Sequence, residues 1–335
     1  MRLYIYAFVI GLFFSSCEYD HLYYVNERTA TVEVRIDWTP ALLNKYQLNG
    51  ITGVAYDSES GNLRSILPTF VGTDSVLEVA LPIGTWDLIF FNNTPSEYAD
   101  IQFNGFKKRS TLQANYVSAR LTRPATKSED KELPVIASPE ILAAAAQKNI
   151  TITQKQIDVF YDRPDIYHSH EHHKYAITAE RKIMTWVFTG EVRGLKYAAG
   201  APFAHLIHNH AGFNIGLDER IGQPTVLQEF VWNNRTWIDA DKVDGKIRAE
   251  VTSFAPSPFD ADEHTLDVNF VLLDGKDYLL RKTFGNEAIK DSIDPRDGVL
   301  KHWVHFVFEL PESVGSGGGS FDPEASEWDD VIVEL

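Results

Sequence analysis

The segment at residues 81–93 reads LPIGTWDLIFFNN and decides which fold the sequence predicts. Residues 82–85 carry the proline and glycine of a turn, and the strand at residues 86–91 that follows is apolar on both faces. A short run of this kind is typical of a strand that is covered on both sides. Upstream, residues 77–81 carry apolar side chains at every second position, which indicates a strand with one buried face. The two strands and their turn therefore predict the centre of a β-sandwich.

The same alternation of apolar and polar side chains recurs along most of the chain. Residues 32–38 (VEVRIDW) and residues 304–310 (VHFVFEL) place apolar side chains at every second position, as half-buried strands do. The Asp274-Gly275 dipeptide tolerates the positive φ of a tight turn and predicts a β-hairpin between two further strands.

One helix is expected, at residues 141–148 (ILAAAAQK). Ser138 suits the N-cap of this helix, Pro139 suits its first position, and Glu140 places an acid in its first turn. The sequence therefore predicts an all-β protein with one short helix near the start of its second domain.

A linker is expected at residues 123–134 (RPATKSEDKELP), which are polar, charged and bracketed by prolines. A chain of 335 residues suggests two domains at roughly 150 residues each. We therefore expect an N-terminal β-sandwich at residues 31–122 and a C-terminal one at residues 135–335. Ahead of them we expect a signal peptide at residues 1–16 and a tether at residues 17–30.

The composition excludes several classes of protein. With 47 acidic and 31 basic side chains the formal net charge is −16, which argues against a nucleic-acid partner. A hydrophobic fraction of 44% is too high for a disordered chain. The single cysteine excludes an internal disulfide and a cysteine-rich zinc site.

The position of that cysteine predicts a lipid anchor. The apolar stretch at residues 3–14 would reach only about 18 Å as a helix, which suits a signal peptide and not a span of the roughly 30 Å hydrocarbon core. The run at residues 14–17 (FSSC) resembles a bacterial lipobox, in which the cysteine is diacylated and then becomes the first residue of the mature protein. The alternative is a simple signal peptide followed by an incidental cysteine. Glu18 and Asp20 resemble the surface-export signal of Bacteroidota lipoproteins, so we expect palmitate-type acylation at Cys17 and a surface-exposed position on the outer membrane.

Three segments together resemble a known family. The lipobox, VEVRIDW at residues 32–38 and LPIGTWDLIFFNN at residues 81–93 are similar to Bacteroidota surface lipoproteins related to minor fimbrillin anchor and tip subunits. The ending at residues 317–335 (GGGSFDPEASEWDDVIVEL) also resembles the closing strand of that group. The resemblance implies two transthyretin-like, fimbrillin-type β-sandwiches, a fimbrial or adhesive role, and no catalysis.

Two histidine groups are candidates for a metal site. If residues 168–173 (HSHEHH) are extended, the first, third and fifth residues share one face of a strand and can present imidazoles to zinc or copper. The alternative is a solvated polar loop and a turn rich in histidine, since the spacing matches no zinc-protease motif. The candidate ligands are His168, His170, His172, His205, His208 and His210.

Two tryptophans are candidates for a glycan-binding surface. Trp232 and Trp237 flank the polar tip at residues 233–236 (NNRT), and exposed tryptophans beside amides suit stacking against sugars. The alternative is that both indoles pack into the second sandwich.

The sequence therefore favours a non-enzymatic outer-membrane lipoprotein without a cofactor. We expect it to act as a fimbrial anchor, tip or adhesion component that binds fimbrillin-type subunits by β-strand addition. The alternative is a glycan-binding lipoprotein of a polysaccharide-utilisation system, and a weaker alternative is a metal-binding enzyme built on the histidine clusters.

Overall fold

A computed structural model describes the chain in nine stretches. The described residues are 28–39, 48, 50–67, 76–120, 133–169, 173–221, 226–254, 263–296 and 298–313, with backbone alone at 167–169, 208 and 263. The predicted signal peptide, Cys17 and the linker residues 121–132 lie outside them, as does the C-terminal segment from residue 314.

Strands make up most of the described chain. In the first half they are β1 (Thr29–Asp37), β2 (Ile51–Asp57), β3 (Leu63–Ile66), β4 (Val76–Pro82), β5 (Gly84–Asn92), β6 (Ile101–Asn104), β7 (Gln113–Tyr116), β8 (Val135–Ile136), β9 (Ala143–Ile152), β10 (Lys174–Thr178) and β11 (Glu180–Arg181). In the second half they are β12 (Met184–Arg193), β13 (Phe203–Asn209), β14 (Gly212–Asn214), β15 (Glu219–Arg220), β16 (Val226–Val231), β17 (Asn234–Trp237), β18 (Gly245–Ser253), β19 (Glu263–Val271), β20 (Asp277–Gly285), β21 (Lys290–Ile293) and β22 (Leu300–Glu309). Two helices, α1 (Gln154–Asp162) and α2 (Pro164–Ser169), lie between β9 and β10, and short 3-10 turns occur at Pro95–Glu97, Arg109–Thr111, Leu195–Tyr197 and Asn286–Ala288.

These strands form five sheets. Sheet A has the order β10-β1-β4, sheet B has β11-β9-β5-β2-β3, and sheet C has β15-β14-β7-β6. Sheet D has the order β20-β19-β13-β16-β8, and sheet E has β17-β18-β12-β22-β21. The protein is therefore an all-β protein, as the sequence predicts. Within the described residues, no helix is both long enough and apolar enough to cross a membrane.

Sheets A and B form the N-terminal sandwich. Alternate residues of β1 point into its core, and Val32, Val34 and Ile36 are fully buried there. Strand β1 lies between two neighbours, since it pairs antiparallel with β4 and parallel with β10. The regular pattern of residues 32–38 is thus the inner face of a central strand.

Strand β5 is buried on both of its faces. Leu88 and Phe90 lie in the core of the N-terminal sandwich, whereas Ile89 and Phe91 pack on the opposite side of sheet B. That second side is covered by sheet C, for example through the stacked rings of Phe91 and Phe103, whose centroids are 4.8 Å apart. Sheets A, B and C therefore form three layers with β5 in the middle one, and the prediction of a doubly covered strand is confirmed.

Sheets D and E form the C-terminal sandwich. Its core is rich in aromatic rings, and Trp186 and Phe188 of β12 stack with their centroids 5.8 Å apart. The hairpin predicted at Asp274-Gly275 is confirmed, because it joins β19 to β20 and Gly275 has a φ of +80°. The apolar residues at every second position of residues 304–310 face this core from β22.

The helix predicted at residues 141–148 is wrong. Residues 143–148 belong to β9, which pairs antiparallel with β5, and their burial alternates: Ala143 and Ala145 face the N-terminal core, while Ala144 faces sheet C. Pairing with β5 overrides the intrinsic helix preference of alanine, which amounts to less than about 1 kcal/mol per residue. The helix begins later, at α1, where Thr153 and Gln156 form a capping box.

The N-terminal sandwich takes strands from both sides of the predicted linker. Strand β9 pairs with β5, β10 pairs with β1, and β11 pairs with β9. The boundary at residues 123–134 stays a prediction, since most of that segment lies outside the described residues. The polypeptide visits sheet C and strand β8 before it returns to complete sheets A and B.

A buried carboxylate holds the middle layer together. Asp87 of β5 is only 2% exposed, and it forms an ion pair with Arg109. Its Oδ1 also accepts hydrogen bonds from the Ser58 hydroxyl at 2.7 Å and from the Asn149 backbone N–H at 2.9 Å. Asn149 has a positive φ and lies where the register between β5 and β9 shifts. Asp87 therefore ties together the β2–β3 turn, the irregular part of β9 and the β6–β7 connection.

A partly buried histidine packs at one end of the C-terminal core. The ring centroid of His264 lies 5.2 Å from that of Phe284 and 5.6 Å from that of Trp186. Burial lowers the pKa of His264 below its ordinary value of 6.5; a hydrogen bond with Asn286 opposes this effect, and the charge of Arg220 adds to it. The folded protein therefore binds a proton at this ring less readily than the unfolded chain does.

We expect Asp87→Ala to destabilise the N-terminal sandwich by about 2–4 kcal/mol, because it leaves a largely buried guanidinium without its counter-ion. Urea unfolding followed by circular dichroism measures the change. Asp57→Ala is the matched control, since Asp57 is only partly buried at the end of β2 and its carboxylate accepts hydrogen bonds from Ser60 of the adjacent turn, so this variant should lose much less stability. Equal losses in the two variants would contradict this role of Asp87.

Stability should also depend on His264 as the pH falls. Between the unfolded pKa of about 6.5 and the lower folded value, the unfolded state binds a proton that the folded state does not, so acidification favours unfolding. We expect His264→Phe to reduce the loss in the free energy of unfolding between about pH 7 and about pH 5. His305→Phe, at an exposed position of β22, is the control and should leave the loss unchanged.

Candidate binding surfaces

The two predicted histidine groups lie on different parts of the fold. His168 belongs to α2, so the expectation that it lies in an extended segment is wrong. Helix α1, which leads into α2, packs against β1 of the N-terminal sandwich, whereas His205 lies on β13 in sheet D. His170, His172 and the side chains of His168 and His208 lie outside the described residues.

The described histidines have protein partners. The Nε2 atom of His205 lies 3.1 Å from a carboxylate oxygen of Glu229, and the side chain of His210 is buried. In the part of the chain that the structure describes, no group of three or more His, Cys, Asp or Glu side chains is arranged to hold a metal ion. A metal site that uses His170, His172 and His208 stays a prediction.

The tryptophan pair does not form an exposed stacking surface. Trp232 is fully buried in the C-terminal core, with its ring centroid 6.3 Å from that of Phe188. Trp237 is partly buried against the same core, and the Arg235 guanidinium lies 4.7 Å from the centroid of its ring. For Trp232, the prediction of a sugar-stacking role is wrong, because its ring packs among other core rings and does not reach the surface.

A charged cluster occupies the outer side of sheet E. Lys301 and Asp294 are both almost fully buried, with 3.1 Å between the Lys301 Nζ and a carboxylate oxygen of Asp294. Arg296 donates a hydrogen bond of 2.6 Å to Asp294, and Lys301 donates one of 2.9 Å to Glu250. The hydrogen bond from Arg296, together with the hydrogen bond and charge of Lys301, holds the pKa of Asp294 well below its usual range. These ion pairs and hydrogen bonds therefore hold the β21–β22 hairpin in place on sheet E.

Two edge strands are long enough to pair with another chain. Within the described residues, β4 has seven residues and is an edge of sheet A, and β20 has nine and is an edge of sheet D. The other edge strands have two to five residues. Short edge strands discourage pairing with another chain, so β4 and β20 are the candidate sites for strand addition.

The outer face of sheet D carries a row of paired charges. Ala204 and Leu206 of β13 point into the C-terminal core, so His205 between them points to the opposite face. Its neighbours in register are Glu229 on β16 and Asp267 on β19, and Asp267 is in turn opposite Arg281 on β20. Both carboxylate oxygens of Asp267 accept hydrogen bonds from Arg281, at 2.5 and 2.6 Å. We call Glu229, His205, Asp267 and Arg281 the ionic row.

An apolar strip lies beside the ionic row on the same face. Phe203 is opposite Val231 of β16 on one side and opposite Asn269 of β19 on the other, and Asn269 is opposite Leu279 of β20. Val231 and Leu279 are 39% and 40% exposed. We call Val231, Phe203 and Leu279 the apolar strip. The sequence alone did not single out the strip or the ionic row, because their members come from strands far apart in the chain.

Comparison with known proteins places the chain in a family. Residues 16–219 match the model of the family described as Domain of unknown function (DUF5119), and the chain belongs to this family. No curated protein is detectably similar to it in sequence.

Several solved structures have a similar fold. One candidate adhesin from Bacteroides ovatus is 15% identical with a TM-score of 0.51, over 85% of this chain and 94% of that chain. A second candidate adhesin from Bacteroides ovatus is 9% identical with a TM-score of 0.50, over 84% of this chain and 90% of that chain. The fimbrial anchor protein Mfa2 from Porphyromonas gingivalis is 12% identical with a TM-score of 0.46, over 82% of this chain and 95% of that chain. The predicted resemblance to Bacteroidota surface proteins of the adhesin type is confirmed as a likeness of fold.

Proposed function

We propose that the protein is a non-enzymatic adhesion protein of the bacterial cell surface that acts as an anchor, tip or adhesive subunit of a fimbria. The observation that carries the proposal is the edge strand β4, which no other strand of the described residues covers on its outer side. The fold that the chain shares with candidate adhesins is consistent with it. Assembly would proceed by β-strand addition, in which a strand of the partner extends sheet A beside β4.

Strand β4 is suited to receive a partner strand. Its inner residues Leu77, Val79 and Leu81 are already buried in the N-terminal core, so the strand is ordered before a partner arrives. Its backbone groups on the outer side supply the hydrogen bonds of a new ladder. Affinity would therefore come from the main chain without any rearrangement of the core.

The charges beside β4 favour a basic partner strand. Glu78 lies directly opposite Glu33 of β1, an arrangement that is unfavourable for two like charges. On its other side Glu33 is opposite Lys174 of β10. A lysine or arginine of the partner strand beside Glu78 would pair Glu78 with an opposite charge, as Lys174 does for Glu33. This pair would also fix the register of the added strand.

We further propose that Cys17 attaches the protein to the outer membrane through a diacylglyceryl group, with the sandwiches facing the outside. The support is the position of Cys17 after an apolar stretch too short to span a bilayer, followed by acidic residues. Two or more acyl chains hold a protein stably on a membrane, whereas one chain gives only reversible binding.

We expect Ala80→Lys to abolish recovery of fimbrillin-type partners, because an added lysine on an edge strand discourages strand addition. The measurement is affinity purification of the mature protein from outer membranes, followed by mass spectrometry of the proteins recovered with it. Val307→Lys, at an exposed position on the interior strand β22, is the matched control and should keep the partners.

Deletion of the gene, combined with this purification, tests the proposal as a whole. Deletion of the gene should reduce surface filaments in electron micrographs or the adherence of the cells, and the wild-type and Val307→Lys proteins should restore them. An unchanged cell surface after deletion, together with no pilin-like protein among the recovered partners, would rule out the fimbrial role.

We expect Cys17→Ser to lose acylation and to leave the membrane fraction. Growth with an alkynyl palmitate analogue followed by membrane fractionation measures both effects. Ser16→Ala keeps a small residue before the cysteine and is the control that should remain labelled. Label on the Cys17→Ser protein would show that the lipid is attached elsewhere, and an unlabelled variant that stays in the membrane fraction would show that the lipid is not required for attachment.

A further inference from the structure

The edge strand β20 carries a lysine on its core-facing side. Tyr278, Leu280 and Phe284 of this strand pack against the core of the C-terminal sandwich, and Lys282 occupies an alternate position of the same series. Across the strand pair Lys282 lies opposite Leu266 of β19, which is fully buried in that core. Lys282 therefore points between sheets D and E and not toward the solvent side of sheet D.

The ammonium group of Lys282 lies over an aromatic ring of this core. Its Nζ is 5.6 Å from the ring centroid of Phe308, a residue of β22 that is 1% exposed. The attraction between a cation and a ring compensates only part of the cost of removing an ammonium from water. Lys282 is only partly buried, and a long side chain at such a position keeps its charged end in water.

Access to water at this point depends on the open edge of sheet D. Within the described residues, β20 has a neighbour on one side only, which is β19. A strand added on the other side would continue the sheet and place its own inner side chains next to Lys282. The ammonium would then be enclosed between the ring of Phe308 and the added strand, so the new backbone hydrogen bonds would form at the cost of a buried charge.

Strand β4, the other long edge strand, lacks a charge at the corresponding positions. Its core-facing residues Leu77, Val79 and Leu81 are apolar and at most 2% exposed. The charged residue of β4, Glu78, is exposed on the opposite face. A strand added beside β4 would therefore enclose no charge between the sheets, and the two long edges of the molecule differ in this respect.

We propose that Lys282 closes the β20 edge of the C-terminal sandwich to strand addition, both by a partner strand and by a second copy of this chain. A charged side chain that points inward from an edge strand is one of the ways in which sheets avoid pairing with other sheets. The proposal does not depend on the fimbrial role or on pairing at β4, because it concerns the edge that is excluded. Exclusion of β20 leaves β4 as the long edge of the described fold at which a strand can add.

Lys282→Met tests the proposal, because methionine keeps a long unbranched side chain beside Phe308 and removes the charge. The measurement is sedimentation velocity of the mature chain, produced without acyl groups, over a series of protein concentrations. At the highest concentration we expect the weight-average mass of Lys282→Met to be at least twice that of the wild type, since the β20 edges of two copies can then pair.

Two control variants separate the inward charge from other effects. Lys246→Met removes the same charge from β18, an interior strand of sheet E on which the Lys246 side chain is 59% exposed, and it should sediment as the wild type does. Lys282→Arg keeps the charge at the edge and should also sediment as the wild type does. Circular dichroism of each variant checks that the sandwiches remain folded.

Hydrogen–deuterium exchange locates the new contact. In the associated Lys282→Met protein, the backbone amides of residues 277–285 should exchange severalfold more slowly than in the wild type, because a second strand now pairs with β20. The amides of residues 76–82 in β4 should keep their wild-type rates.

Three outcomes would overturn the proposal. A folded Lys282→Met protein that sediments as Lys246→Met does shows that the charge does not close this edge. Association without slower exchange at residues 277–285 shows that the copies meet elsewhere. Association of Lys282→Arg to the same extent as Lys282→Met shows that the charge is not the cause.

Discussion

Sheet B is covered on both faces, and the other layers of the molecule are arranged around it. Its central strand β5 sends Leu88 and Phe90 into one core and Ile89 and Phe91 into the other. A strand with two apolar faces has no side that can be left in water, so a second sheet on each face is needed. Sheets A and C meet this need, and sheet C includes strands β14 and β15 from the second half of the chain. The double burial of β5 therefore joins the two halves of the protein.

Asp87 is the polar exception inside this arrangement. A lone carboxylate within an apolar strand is stable only when its hydrogen-bonding capacity is met, and here Arg109, Ser58 and the backbone of Asn149 meet it. Ser58 lies in the β2–β3 turn, Arg109 lies in the β6–β7 connection, and Asn149 lies in the irregular part of β9. An apolar side chain at this position could pack between the layers, but it would not hold these three segments to one another.

The sequence predicted those parts of the fold that depend on local pattern. Residues 86–91 indicate double burial because five of these six neighbouring positions are apolar, and the Asp274-Gly275 turn needs only two residues. The helix predicted at residues 141–148 failed because pairing with β5, more than fifty residues away, decides their conformation. The ionic row was not predicted for the same reason, since its four members come from four strands that only the folded chain brings into register.

The position of β1 between two strands has a mechanical consequence. The strand begins at Thr29, and its hydrogen bonds to β4 and β10 lie across the strand direction on both sides. A force that pulls on the chain ahead of residue 29 acts along β1 and loads all of these hydrogen bonds together in shear. Rupture then requires that they break in concert, whereas a strand peeled from a sheet edge loses them one after another. Along this direction β1 therefore resists rupture better than an edge strand would.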